Sequence, residues 1–301
     1  MEDVYDLVII GAGPAGITAG IYAKNFGLNC LIIGEEIGGM LNSAYKVDNY
    51  PGLFGLTGRE LAEKFMAHQK YLQIPLQEEL VDKIEKENQL FKISAGTKQI
   101  FAKCLILALG THPQKLEIKN IDKFENKGVY YRLGSNASFK NKTIAVIGGA
   151  NAAVMKAVQF SEIAKKVYLI YRKDKLRADK HWIDKLMQKK NIEVIYNAQL
   201  SEARGHKKLE SIVLDNGKEL KVDGLFIGAG NVPNVSLIQT LGIKTNEWGY
   251  VEVDKAQATN IDGVFAAGDI TTGSNGFRQI ITACSEGAIA ALGAFNYLNK
   301  K

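Results

Sequence analysis

Six residues near the N-terminus, Gly11-Ala12-Gly13-Pro14-Ala15-Gly16, have the types and spacing of a phosphate cradle. Gly11 permits a tight turn, Gly13 lets the backbone approach a pyrophosphate, and Gly16 lets a following helix pack closely on the preceding strand. The helix start supplies free N–H groups and a positive dipole end to the phosphates. The flanks agree, because Asp6-Leu7-Val8-Ile9-Ile10 reads as a buried strand and Ala15 to Phe26 as an apolar helix. These residues predict a bound dinucleotide.

A second, altered copy follows the strand-like Thr143 to Ile147. Gly148-Gly149-Ala150-Asn151-Ala152-Ala153 leads into a helix expected to end near Lys166. Alanine is tolerated at the third position, so Ala153 fits, whereas Ala150 at the central position turns a methyl group toward the space a pyrophosphate uses. About 24 residues past Gly148 the chain reads Tyr171-Arg172-Lys173-Asp174-Lys175-Leu176-Arg177. A ribose 2′-hydroxyl calls for an acid at this strand end, and a 2′-phosphate calls for cations. Arg172, Lys173 and Arg177 therefore favour NADPH over NADH, with a plain solvated basic turn as the competing reading.

Two such cradles need two sets of strands and helices, and 301 residues with 46% hydrophobic content suffice for two cores. Strands are expected at Asn29–Ile33, Val81–Ile93, Gln99–Ala108, Val167–Ile170, Ile192–Tyr196 and Leu209–Asp215, with a helix from Gly58 to about Leu72. Asp223 to Gly230 mirrors the strand ending in Gly110-Thr111. The tail then returns to the first pattern: Gly263 to Ile270 is a strand ending in Gly268-Asp269, and Gln279 to Leu298 is a long apolar helix. A carboxylate after such a strand can accept a ribitol hydroxyl, and the helix start can face a flavin ring. The expected fold is α/β: two Rossmann-like, three-layer ββα nucleotide-binding domains, the second inserted into the first. The first is assigned residues 1–113 and 242–301, the insert residues 114–241.

Lysine plus arginine number 38 against 32 acids, a net charge of +6 spread along the chain without aromatic interleaving. That pattern fits an acidic protein or phosphorylated ligand and argues against nucleic acid. No apolar run reaches membrane-spanning length and no leader precedes the first strand, so a cytoplasmic location without membrane association is expected. Cys30, Cys104 and Cys284 form no C-x-x-C pair, so neither a metal site nor a local redox disulfide is written here. His68, His112, His181 and His206 have no acid or nucleophile at catalytic spacing, although His112 follows the Gly110 strand end.

Taken in order, Gly11–Gly16, Gly38-Gly39-x-Leu41, Val47–Gly52, Gly110-Thr111, Gly148–Ala153, Arg172–Arg177, Phe265–Asp269 and Arg278-Gln279 resemble the low-molecular-weight thioredoxin reductase family of flavoproteins. The resemblance spans nearly the whole chain. It implies FAD in the first domain, NADPH in the insert, a homodimer, and a domain rotation that alternates nicotinamide and disulfide at the flavin. The expected FAD contacts are Gly11, Gly13, Pro14, Ala15, Gly16, Gly34, Glu35, Gly39, Met40, Leu41, Asn49, Val81, Gly110, Thr111, Gly268, Asp269, Arg278, Gln279 and Ile280. Glu35 is expected at the adenosine ribose, with Gly34 in the usual strand-end position. The expected nucleotide contacts are Gly148, Gly149, Ala150, Asn151, Ala152, Arg172, Lys173 and Arg177.

Three departures from the family pattern shape the expected function. Arg132 and Ser135 stand where the Cys-x-x-Cys belongs, with Asn136 in place of the neighbouring acid. Met155 and Lys156 replace the usual glutamates, and Met40 replaces a glutamine. Disulfide exchange needs a thiolate and a resolving thiol, which arginine and serine cannot supply. The expected activity is therefore FAD-centred electron transfer between NAD(P)H and a non-disulfide acceptor or donor such as ferredoxin, flavodoxin, a quinone or oxygen. The alternatives are a disulfide reductase whose thiols come from Cys284 or a thioredoxin-like partner, and a non-catalytic FAD-binding sensor.

Overall fold

The structure, a computed structural model, describes residues 4–132, 139–228 and 230–300. The chain divides into two compact units, residues 1–112 with 232–301, and residues 113–231. The return to the first unit thus comes ten residues before the expected 242. Leu237, Ile238 and Ile243 are buried with Val81, Ile84 and Phe91 in a core of the first unit, which draws this stretch out of the insert.

The first unit begins β1 (Val4–Ile10), α1 (Pro14–Asn25), β2 (Cys30–Ile33), α2 (Gly58–Tyr71), β3 (Leu76–Gln77), β4 (Lys83–Glu87), β5 (Leu90–Ala95), β6 (Lys98–Leu107) and β7 (Thr111–Pro113). The second contains β8 (Val129–Tyr130), β9 (Thr143–Ile147), α3 (Asn151–Ser161), β10 (Lys166–Tyr171), α4 (Lys180–Met187), β11 (Ile192–Tyr196), β12 (Leu200–Gly205), β13 (Leu209–Leu214), β14 (Glu219–Lys221) and β15 (Gly224–Ile227), and β16 (Asn231–Pro233) straddles the return to the first. The returning chain adds α5 (Ser236–Gln239), β17 (Val264–Ala266) and α6 (Ile280–Asn299).

In the first unit the parallel strands β3-β2-β1-β6 lie in that order, β17 pairs with the end of β6, and β5 and β4 extend the other half of β6 antiparallel. The expected single strand over residues 81–93 is broken, because Asn88 takes φ 57° and reverses the chain so that Glu87 pairs with Leu90. One face of the sheet packs on α1 and α6 through Ala15, Ala19, Ala23, Ala283, Ala290, Ala291 and Ala294. The opposite face buries Phe91, Ile93 and Val81. Small residues let α6 approach closely: a Cβ on Gly287 would run into the Ala15 carbonyl.

The second unit repeats the plan, with parallel strands ordered β11-β10-β9-β15-β8. α3 packs on one face through Ala153, Val154, Ala157 and Phe160, and the antiparallel sheet β12-β13-β14 covers the other through Ile212, Leu214 and Leu220. The helix α3 stops at Ser161, five residues short of expectation, because the Lys165 N–H turns to the Lys142 carbonyl (2.9 Å) and feeds β10. In each unit the strand preceding the glycine turn has neighbours reached in opposite directions, β2 and β6 around β1, β10 and β15 around β9. Such a switch point is where open α/β sheets hold ligands, at the carboxyl ends of the strands.

Candidate functional site

Strand register brings four chain segments to one edge of the first unit. Ile10 pairs with Ile33 on one side and with Leu107 on the other, and Leu107 pairs with Ala266. The Gly11 N–H donates to the Ile33 carbonyl (2.7 Å) and the Ala267 N–H to the Leu107 carbonyl (3.0 Å). Gly11–Gly16, Gly34-Glu35, Gly110-Thr111 and Gly268-Asp269 therefore share the carboxyl edge of the sheet. Gly11 has φ 118°, which excludes a side chain, and a Cβ on Gly16 would strike the Gly11 carbonyl. A Cβ on Gly13 would meet no atom within 4 Å, so the turn opens onto free space above the start of α1.

The neighbouring loop lies against this turn. Gly38 donates its N–H to the Ala12 carbonyl (2.8 Å), and a Cβ on Gly39 would sit 3.3 Å from Gly13 Cα. Met40 is partly buried beside it, while Leu41 is buried with Val47, Leu61 and Ala62, and Ile280 packs on that cluster. Glu35 and Asn49 are exposed. Val81 is different: its side chain belongs to the core, which leaves only its backbone for a ligand.

Polar groups at the same edge fit a flavin dinucleotide. The Thr111 hydroxyl, 5% exposed, has no hydrogen-bond partner among the described residues. Burial pushes the Asp269 carboxyl above its ordinary range, opposed by Arg278 and reinforced by Glu286. A ligand hydroxyl donating to Asp269 would relieve that cost. Gly110, at φ 60°, also faces open space.

Two expected ligand side chains serve the scaffold as well. Gln279 caps α6, accepting from the Thr282 N–H, and its Oε1 also accepts from Asn49 Nδ2 (2.9 Å). Arg278 donates from Nε to the Asp269 carbonyl (3.2 Å) and stacks 3.8 Å above the Tyr250 ring centroid. Glu286 was missed by the motif reading. Buried at 4% exposure, it accepts from the Gly268 N–H (2.8 Å), Thr271 Oγ1 (2.9 Å) and Ser274 Oγ (2.6 Å). As the only charged residue within α6, it carried a signal that could have exposed it.

In the second unit Gly148 takes φ 133°, and a Cβ on Gly149 would lie 2.5 Å from the Tyr171 ring. Ala150 is the exposed N-cap of α3 at φ −95°, a conformation open to any residue, and no side chain caps the helix start. Asn151 is tied to Asp179 by two hydrogen bonds (2.9 and 2.7 Å), and Ala152 is exposed. The Arg177 N–H donates to the Gly149 carbonyl (2.7 Å), which fixes the basic loop beside the glycine turn. Arg172, Lys173 and Arg177 are exposed and ion-paired to no described residue. Burial lowers the Lys156 ammonium on α3 to a pKa of about 8.

Arg132 is exposed just after β8, and Ser135 and Asn136 lie outside the described residues. All three cysteines are buried, and none forms a disulfide. Cys284 contacts the Tyr50 hydroxyl and the Pro14 carbonyl, each at 3.9 Å, and burial pushes its thiol up against smaller lowering by Thr18 and Tyr50. No group of His, Cys, Asp and Glu among the described residues could hold a metal, and no helix there is long and apolar enough to cross a membrane.

Residues 5–287 match the pyridine nucleotide-disulphide oxidoreductase family. The chain is 36% identical over 308 residues to a 34.2 kDa protein in the rubredoxin operon of Clostridium pasteurianum, covering 100% of this chain and 99% of that protein. Thioredoxin reductase from Lactococcus lactis, solved in its FR conformation, matches with a TM-score of 0.94 and 33% identity over 99% of this chain and 100% of that one. A ferredoxin-flavin thioredoxin reductase from Clostridium acetobutylicum matches with a TM-score of 0.56 and 30% identity, with 100% of each chain covered. Glycine turns, strand-end acid and sequence kinship converge: the chain belongs to the pyridine nucleotide-disulphide oxidoreductase family, as an FAD-dependent oxidoreductase of the thioredoxin reductase kind with FAD and NADPH as its cofactors.

Proposed function

We propose that this enzyme moves electrons between NADPH and a small redox protein of the ferredoxin or flavodoxin type, without a disulfide of its own. The observation that carries this reading is the pairing of an open flavin cradle at Gly13, Thr111 and Asp269 with three buried cysteines that form no disulfide. In this reading the first unit holds FAD: the turn at Gly11–Gly16 and the α1 N–H groups take the pyrophosphate, and Asp269 accepts a ribitol hydroxyl. The second unit holds NADPH, with its pyrophosphate at the start of α3 and its 2′-phosphate between Arg172, Lys173 and Arg177. Bound FAD supplies hydride acceptance and stepwise electron release, so no thiolate is required.

Cys284 does not fill the gap, because a thiol raised by burial is a poor nucleophile at neutral pH. Relatives lend support, one being named for its place in a rubredoxin operon and another for ferredoxin as well as thioredoxin. Cysteines that form no disulfide suit a reducing, cytoplasmic setting. A homodimer belongs to the same reading, and the exposed Ile281, Ile289 and Leu292 of α6 form the face it would cover.

The test is anaerobic turnover with NADPH against a dye, ferredoxin and oxidised thioredoxin, for wild type and Cys284→Ser. Dye and ferredoxin are reduced, thioredoxin stays oxidised, and the substitution changes neither rate. Thioredoxin reduction that Cys284→Ser abolishes would overturn the proposal.

A further inference from the structure

The carboxylate of Glu286 has no part in the proposed electron transfer, yet it is buried and accepts three hydrogen bonds. An isolated buried carboxylate is costly, and three donors offset that cost. None of the three comes from α6 itself. The Gly268 N–H, the Thr271 hydroxyl and the Ser274 hydroxyl all belong to the loop that follows β17 and carries Asp269. The loop is drawn tightly onto the carboxylate, since a Cβ on Gly273 would lie 2.6 Å from Glu286 Oε1. Thr271 is further fixed because its hydroxyl oxygen accepts from the Gly273 N–H (3.0 Å).

Asp269 is thereby held from both sides through its backbone. The peptide N–H before it is anchored by Glu286, and its own carbonyl accepts from Arg278 Nε (3.2 Å). Its side chain is raised in pKa by burial against the opposing charge of Arg278, a cost that an outside hydroxyl donating to it would relieve. Helix stability alone gives no reason for an acid at position 286, where alanine would pack without burying charge.

We propose that Glu286 is the positioning residue of the flavin site, fixing residues 268–274 so that Asp269 presents its carboxylate to the ribityl chain of FAD. The inference rests on the reading of the first unit as the FAD unit. Glutamine at 286 keeps an acceptor for Gly268 and Thr271 while Ser274 turns from donor to acceptor; leucine keeps volume and removes every bond.

The test is FAD titration of full-length apoprotein, followed by flavin fluorescence and by visible-region circular dichroism, with apoprotein melting as the control. Glu286→Leu weakens FAD binding by about tenfold or more and alters the flavin dichroism, while Glu286→Gln recovers to within about threefold of wild type. Where the leucine variant does not fold, Thr271→Val replaces it and weakens binding several-fold with melting unchanged. Wild-type affinity and dichroism in the leucine variant, or in Thr271→Val as its substitute, would sink the proposal. So would a glutamine variant no better than leucine, because charge and not acceptor geometry would then be at work. Wild-type apoprotein that binds no FAD would instead overturn the FAD reading, a result visible before any variant is compared.

Discussion

Lys156 sits on the second turn of α3 with its Nζ 3.0 Å from Gln159 Oε1 and 5.8 Å from the Phe226 ring centroid. No carboxylate pairs with it among the described residues. Its ammonium is therefore desolvated with no opposite charge beside it among the described residues, which lowers its pKa from 10.5 to about 8. The unfolded chain then binds more protons than the folded one between pH 8 and 10.5, so stability rises with pH in that window. Below it the folded protein bears the whole cost, at most about 3 kcal/mol. Lys156→Met is expected to raise the melting temperature at pH 7, with the gain shrinking toward pH 10. An equal gain at both pH values would show that packing, not charge, is responsible. The sequence marked Lys156 only as a departure from family pattern, because whether a lysine on a helix is buried depends on Phe226, seventy positions away in the chain.

On the proposed function, the loop between β10 and α4 is the element expected to decide between NADPH and NADH. Its anchors are the Arg177 N–H bond to Gly149 and the Asn151–Asp179 pair, so its cations stand beside the glycine turn in a fixed frame. Each charge-assisted bond to a 2′-phosphate contributes roughly 1.5–3 kcal/mol before desolvation losses. Arg172→Ala is expected to lower kcat/KM for NADPH about tenfold and to leave NADH unchanged; an equal loss with both nucleotides would assign the loop to the surface alone. The elements behind this prediction were legible for a physical reason. Glycine turns, flanking apolar runs and a basic strand end are local patterns, and β1, α1, β9 and β10 follow from them. What ties loops together was not legible. Asn49 meets Gln279 across 230 positions, and Glu286 reaches back 18 positions to Gly268, contacts that no spacing rule announces. The misplaced return at 242 has the same origin, since Leu237, Ile238 and Ile243 would suit either core and only the sheet of the first unit recruits them. Likewise the break at Asn88 needs a left-handed residue inside an otherwise continuous strand pattern.

At the scale of the whole molecule the governing quantity is charge, 38 basic against 32 acidic residues. Several surface cations are neutralised locally, as in Lys103–Asp6, Lys166–Glu193 and Arg204 between Glu202 and Glu219. The surplus remains as a positive field of the kind that steers an acidic partner and raises its rate of encounter. Such steering is screened beyond a Debye length of about 10 Å at 0.1 M salt. Electron transfer to an acidic ferredoxin or flavodoxin should therefore slow steeply, by about tenfold or more, between about 50 and about 500 mM NaCl at limiting carrier concentration. An uncharged dye, which needs no steering, should be reduced at nearly constant rate over the same range. NADPH must be saturating throughout, because on the proposed function its own phosphates are held by cations and would otherwise import a salt dependence of their own. Parallel decline with dye and carrier would place the sensitive step at the nucleotide and remove the case for an acidic protein partner. A salt-insensitive carrier rate would do so as well, since a protein acceptor docking without help from this field would owe nothing to the charge that the chain carries.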